Sequence, residues 1–575
     1  MKENLKKRLR FGILVLVIAL LPVCLLSARF LKKADTDRSF TAFTDELFRE
    51  EICGSTLNLH YTISNPNDFG ILEYPITFGS LSTETNTEGL THLLLRLQEF
   101  DMEKLSEENR LTCEILQYYW KNQLDAAALN LLYEPLSPSL GIQAQLPVLL
   151  AEYTFRTPQD LLDYLALLKE TDTYFSQILA FEQKRSESGL FMSDLSVQRV
   201  IEQCTSFIQE PENNYLQSLF SEKLEKLDIT ADEKSAALTT HKNLLKKHVI
   251  PAYKSIISGL NALKGTGTNN GGLCGYPNGK EYYQYLLRTQ SGVTETPEAL
   301  WQRLTRQLAS DLKDMQELLQ ADPTIIGRKL KITQDPDEIL KELQKKISDD
   351  FPPLESPEYE VKYVPDALKD YLSPAFYLTP PVDTGTPNAI YLNPAGNLEG
   401  IELFTTLAHE AFPGHLYQTR YFAETEPNLL RTLYEPSGYI EGWATYTESY
   451  AYSYAGEDAA LSRLLWLNRS SSLCLYSLMD IGIHYFDWEP EDTAAFLEDF
   501  GITDPATAAE AYQYIVETPG NYLKYYVGYL HFLDLKTGQQ EKLGEDFDLK
   551  EFHRKILEIG PCPFDILKKY LEQKS

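Results

Sequence analysis

No two cysteines stand close enough to form a Cys-x-x-Cys unit, and the seven present are scattered along 575 residues. A cysteine-built metal centre is thereby disfavoured. Six of them, Cys53, Cys113, Cys204, Cys274, Cys474 and Cys562, lie beyond the N-terminal leader. An even number in an exported chain permits disulfides, but the spacing indicates no pairing. Basic residues are also scarce: 53 Lys and Arg face 83 Asp and Glu, for a formal net charge of −30. Such a charge repels polyphosphate and argues against nucleic acid as a partner. No internal repeat and no low-complexity tract interrupts the chain.

What is present begins with a leader. Lys2, Lys6, Lys7, Arg8 and Arg10 precede an uncharged stretch from Phe11 to Ala28, followed by Arg29, Lys32 and Lys33. Residues 1–33 read as a signal peptide or an N-terminal membrane anchor, with the basic start kept inside and the remainder carried across. The expected location is extracytoplasmic, secreted or attached to the outer face of the cytoplasmic membrane if the leader is uncleaved. Ser27-Ala28 offers a cleavage site. Leu21-Pro22-Val23-Cys24 is a weak lipid-attachment pattern because Val23 is bulky.

Residues 34–264 show apolar positions at three- and four-residue intervals, as in 90–100 and 161–181, with few Gly or Pro, and predict packed amphipathic helices. Their histidines, His60, His92, His241 and His248, are scattered and read as surface or core residues. A Gly-rich, polar run at 265–272 predicts a mobile loop and a soft boundary, with a second region from 265 to 575. Segments at 358–364, 376–378 and 389–392 have strand character. The predicted fold is mainly α, multi-helical, with a small β-sheet or hairpin next to the active-site helices.

The richest segment is Thr405-Thr-Leu-Ala-His-Glu-Ala-Phe-Pro-Gly-His-Leu-Tyr-Gln418, followed by Ile440-Glu-Gly-Trp-Ala-Thr-Tyr-Thr-Glu448. His409, His415 and Glu441 make a ligand set suited to one catalytic zinc ion per chain, with a fourth position left for water. Glu410 stands where the His-Glu-x-x-His motif places its general base. Here, however, the second histidine lies six positions after the first. On a regular helix six steps separate side chains by roughly 120°, against about 40° for four. The pair therefore requires a kink or bulge at Pro413-Gly414 that turns His415 back. The alternative is a helix that ends at Pro413 beside two unrelated histidines. Glu448, seven residues after Glu441 and on nearly the same helix face, is placed either to hold a ligand histidine from behind or in solvent.

The segment resembles the His-Glu-x-x-Pro-Gly-His signature of the bacterial DUF885 family, which is grouped with thermolysin-like zinc metallopeptidases. Further blocks match in order: Pro277-Asn-Gly-Lys-Glu-Tyr-Tyr283, Glu441-Gly-Trp-Ala444, Asp480-Ile-Gly-Ile-His484, Pro519-Gly520 through Tyr525 and Gly528, and Phe552-His553. Leu416 and Asn521 depart from the family pattern. The resemblance implies a zinc metallopeptidase that hydrolyses peptide bonds. His484 and Tyr525 are its expected oxyanion donors, and Asp480 is expected to orient His484. Tyr522 and Tyr526 compete with Tyr525 for that role, and His531 and His553 read as structural. The other readings are a zinc hydrolase acting on a different ester or amide, and an exported binding protein that retains the fold. The intact Glu410 counts against the last.

Overall fold

The computed structural model describes residues 35–574 apart from 356, 367, 370 and 371. The leader, with its expected membrane role, lies outside the described residues. Among those described, no helix is long and apolar enough to cross a membrane, and the six cysteines are unpaired.

The chain is mainly helical with one small sheet. Local sequence explains many helix starts. Thr157 and Thr230, for example, open helices through reciprocal capping boxes with Asp160 and Glu233, satisfying N–H groups that the first turn leaves over. Apolar stripes then bury one face of each helix. One core gathers Leu167, Phe175, Ile178, Val200, Tyr253 and Ile256 from the N-terminal helices. A second gathers Leu304, Leu407, Trp443, Leu478 and Phe532 from the C-terminal half, and Leu111, Ile115 and Leu132 join it from the N-terminal region.

The run at 265–272 is irregular, as expected, but it is tied down rather than loose. Gly265 N–H donates to Asp194 at 2.7 Å, and Asn269 Nδ2 donates to the Gly272 carbonyl at 2.8 Å.

The sheet sits between the two cores. Strands β1 (Tyr359–Tyr363), β2 (Ala375–Leu378) and β3 (Asn388–Leu392) are ordered β1-β3-β2, with β3 parallel to β1 and antiparallel to β2. All five β3 residues are buried. Successive side chains of a strand point to opposite faces, and here Ala389 and Tyr391 enter the N-terminal core while Ile390 and Leu392 enter the C-terminal one. β2 is left as an edge strand.

Six helices frame the region beside that edge: α1 (Pro297–Ala321), α2 (Gly400–Glu410), α3 (His415–Glu424), α4 (Ser437–Tyr454), α5 (Ala459–His484) and α6 (Asn521–Leu543). α4 and α6 cross at unusually short range because glycine faces glycine. A Cβ on Gly442 would lie 2.5 Å from the Gly528 Cα, and one on Gly528 would lie 2.7 Å from the Gly442 Cα. Both are closer than a methyl group can come, so any side chain must push the helices apart. Gly442→Ala is expected to destabilise the chain by about 1–3 kcal/mol through overpacking, read as a lower denaturant midpoint. An unchanged midpoint would show that the crossing has slack.

Candidate metal centre

α2 ends at Glu410. Ala411 leaves helical geometry (φ −120°, ψ −84°), a cis Phe412-Pro413 peptide follows, and α3 begins at His415. The distortion expected within one helix is thus a full break between two. Gly414 makes the break tight. A Cβ there would fall 1.8 Å from the His409 carbonyl oxygen, while its own N–H donates to the Ala408 carbonyl at 3.0 Å. Trp443 Nε1 of α4 donates to the Pro413 carbonyl at 2.9 Å and fastens the turn from the other side. The outcome is that the His409 and His415 rings stand 4.7 Å apart at 89° to one another.

Glu441, on the first turns of α4, completes the group. Its Oε2 lies 3.5 Å from Nε2 of His409 and 3.5 Å from Nε2 of His415. Donor atoms at about 2.0–2.1 Å from a tetrahedral ion stand about 3.3–3.5 Å from one another, so these three atoms fit a single cation. Glu410 is also near, with donor atoms of His409, Glu410 and His415 all within 4.8 Å of each other. Its Oε2, however, accepts the Tyr377 N–H of β2 at 2.9 Å. Glu441, equidistant from both imidazoles, is the carboxylate placed to complete such a group, while Glu410 lies beside it, held by the sheet edge.

The electrostatics fit a cation as well. Burial opposes a charged imidazole at His409, yet Glu441, Glu448 and Glu410 overcome it and lift the pKa to about 10. Carboxylates that bind a proton there so firmly are equally suited to a dication. Burial would raise Glu441 and Glu448, but His409 and His415 pull Glu441 down, and Arg469 and His409 pull Glu448 down. Burial raises the Glu410 pKa against the pull of His415 and His409, which makes it the more basic carboxylate.

Behind the ligands, His409 Nδ1–H donates to Glu448 Oε1 at 2.7 Å, and Arg469 Nε on α5 donates to Glu448 Oε2 at 3.1 Å. This fixes the ring with Nε2 toward Glu441. The Nδ1 of His415 is buried with no protein partner among the described residues. Lys524 Nζ lies 4.0 Å from Glu441 Oε1.

Of the three tyrosines, Tyr525 faces the site. Its ring centroid is 6.3 Å from that of His409, and burial, then Glu441 and Glu410, push its hydroxyl pKa up. Tyr522 stacks on Tyr476 at 4.5 Å, and the Tyr526 hydroxyl is buried against Ser470 at 2.8 Å.

His484 and Asp480 require correction. His484 is buried with both ring nitrogens committed to backbone: Nδ1 accepts the Leu273 N–H at 3.0 Å and Nε2–H donates to the Ile515 carbonyl at 2.9 Å. It has no free donor for an oxyanion. Burial lowers its pKa to about 4, as for a neutral ring. Nor does Asp480 orient it. Asp480 accepts the Tyr283 hydroxyl at 2.5 Å and the Gly520 N–H at 3.0 Å. Three of the motif blocks thus meet one another, anchoring the turn from which α6 carries Tyr525 to the site. His553 is likewise structural, with Nδ1–H donating to the Asp350 carbonyl at 2.7 Å and Nε2 2.8 Å from the Tyr446 hydroxyl.

Sequence reasoning missed Arg469, Lys524 and the Tyr377 amide. A main-chain N–H has no residue signature, and Arg469 carries no spacing signal because it comes from a separate helix. Lys524 stood beside Tyr525 and could have been weighed with it.

Residues 80–571 match a family described as "Bacterial protein of unknown function (DUF885)". The chain belongs to this family. No curated protein matches the sequence. Two solved structures share the fold of this DUF885 chain. A candidate lipoprotein of Colwellia psychrerythraea has a TM-score of 0.79 at 20% identity, covering 94% of this chain and 99% of its own. A candidate lipoprotein of unknown function from Shewanella oneidensis has a TM-score of 0.63 at 16% identity, with coverages of 84% and 91%.

Two outcomes follow for the DUF885 site. Glu448→Gln should weaken metal affinity about 10- to 100-fold, measured by competition with a chelator. Unchanged affinity would remove Glu448 from the support of His409. His484→Ala should cost about 1–3 kcal/mol of stability, since it leaves a buried N–H and carbonyl unpaired. It should spare metal content, and loss of metal without loss of stability would return His484 to the site.

Proposed function

We propose that the chain is a zinc-dependent peptidase of the extracytoplasmic space. The observation that carries this reading is the pairing of a two-histidine, one-glutamate group with a separate buried carboxylate, Glu410, which a binding role would not require. His409, His415 and Glu441 would hold the zinc, which would supply a Lewis acid and a bound water with a pKa of around 7. Glu410 accepts a proton from the attacking water and delivers it to the leaving amine. Its raised pKa suits both halves of that task, and the Tyr377 N–H keeps one oxygen fixed while the other is free to move the proton. Tyr525 stabilises charge developing on the carbonyl oxygen. The β2 edge, which runs past Glu410, accepts an extended peptide by backbone pairing. The leader of basic residues and an apolar stretch supports export, and the fold likeness to two candidate lipoproteins is consistent with it.

Metal analysis paired with a peptide-library digest tests the roles. Glu410→Gln should retain about one zinc per chain and lose nearly all hydrolysis. His409→Ala, His415→Ala and Glu441→Ala should lose the metal itself. Tyr525→Phe should keep zinc and lower kcat by roughly 10²–10³. Zinc retained at wild-type occupancy in His415→Ala would remove that residue from the centre. Undiminished cleavage by Glu410→Gln would end the mechanism.

A further inference from the structure

Two openings flank the metal group. A cavity of about 800 Å³ has His415 and Glu441 in its wall. A smaller pocket of about 350 Å³ shares none of its lining residues and approaches the group from α6, through Asn521 and Lys524. Four charged side chains line this pocket: Glu134, Arg185, Glu517 and Lys524. Three of them are spent. Arg185 is buried and donates to Glu182 at 2.9 Å, to Glu134 at 3.2 Å and to the Leu131 carbonyl at 3.1 Å. Glu517 accepts from Arg199 at 2.9 Å and from Gln513 at 2.7 Å.

Lys524 is held differently. Its ammonium stands 5.1 Å over the Tyr525 ring and 4.0 Å from Oε1 of Glu441, and makes no hydrogen bond among the described residues. A separation of 4.0 Å is too long for a hydrogen bond, so the N–H donors of the ammonium remain open to a ligand. The side chain is 22% exposed, which leaves it reachable from the pocket. Asn521 precedes it by three positions on α6, which sets the two side chains one above the other on one helix face. The Asn521 amide is likewise without a hydrogen-bond partner among the described residues. A cation and an amide donor lining one pocket suit a carboxylate, which takes a charge-assisted bond from the first and a second N–H from the other.

The charge of the loaded centre points the same way. Glu410, Glu441 and Glu448 bring three negative charges, whereas Arg469, Lys524 and a divalent ion bring four positive ones. One positive charge is left over, and Lys524 is the member of the group that lines the pocket. Reach limits where an anion would sit. A residue spans at most about 3.3–3.6 Å, so a carboxylate on Lys524 stands roughly one or two residues from a carbonyl beside Glu441.

We propose that Lys524 is the specificity-determining residue of this pocket, selecting peptides that present a carboxylate close to the scissile bond. The inference rests on the peptidase reading for the bond that is cleaved and on the pocket alone for its charge preference. A carboxylate can come from the C-terminus of a peptide or from an acidic side chain, and both bring the same group to Lys524.

The experiment gives the zinc-loaded chain matched peptides whose last residue is glutamate or glutamine, each with a free or an amidated C-terminus. The member of a pair that carries the extra carboxylate should be favoured in kcat/KM by about 10-fold or more. Preference for the free over the amidated terminus assigns the C-terminus, and preference for glutamate over glutamine assigns the side chain. Lys524→Met should bring the favoured ratio toward one while the chain keeps its zinc. Lys524→Arg retains the charge and should retain the preference, a rescue that a packing role would not show. Equal rates in both pairs, a ratio unchanged in Lys524→Met, or loss of zinc from that variant would overturn the proposal. If the wild-type chain cleaves none of the peptides, the peptidase reading falls while this one is still decided, by calorimetric binding of the same peptides to the zinc-loaded chain. Carboxylate-dependent binding that Lys524→Met abolishes and Lys524→Arg keeps would support it, and binding indifferent to the carboxylate would overturn it.

Discussion

The centre depends on a close contact between two parts of its own motif. The α carbon of Gly414 approaches the His409 carbonyl where no side chain could fit, and this contact lets the chain fold back after α2 instead of continuing along its axis. A continued helix would carry His415 around to another face. The break also frees the end of α2, so that Glu410 can meet the β2 edge while His409 meets α4. One turn of backbone thereby sends two adjacent side chains to different partners, His409 to Glu441 and Glu448 on α4 and Glu410 to the β2 edge.

Charge is the second constraint. Glu410, Glu441 and Glu448 are gathered with two imidazoles in a largely buried volume, an arrangement that needs cationic compensation. The protein supplies some of it through Arg469 on Glu448 and, at longer range, Lys524 on Glu441. The remainder is supplied by protons on the histidines or by a metal ion. The sheet contributes at the same time, because a main-chain N–H from β2 holds Glu410 without adding charge.

Much of this was legible in the residues. Short runs rich in aromatic and aliphatic residues, set off by Pro and Gly, marked the strands, and three- and four-residue apolar spacing marked the helices. The six-residue offset of His415 signalled a distortion, and the presence of glycine and proline located it. The partnership of Glu448 with His409 was visible as one of two readings of a seven-residue interval. The sequence could not distinguish motif residues that line the site from those that hold it up. Asp480 and His484 stand one helical turn apart in a matching block, yet they serve the Gly520 turn and the Leu273 and Ile515 backbone. Chain spacing describes neighbours on one helix, whereas these roles come from contacts with three other segments.

The two ligand imidazoles are not held alike. His409 is gripped through Nδ1 by a carboxylate that an arginine holds in turn, while His415 has only its place at the start of α3 and the packing around it. The centre therefore has a rigid side and a compliant side. Turning the His409 ring would cost its hydrogen bond to Glu448, whereas Nδ1 of His415 has no such bond to lose among the described residues. A cation held here would meet its firmer arm at His409 and its less tethered arm at His415, the one that lines the cavity.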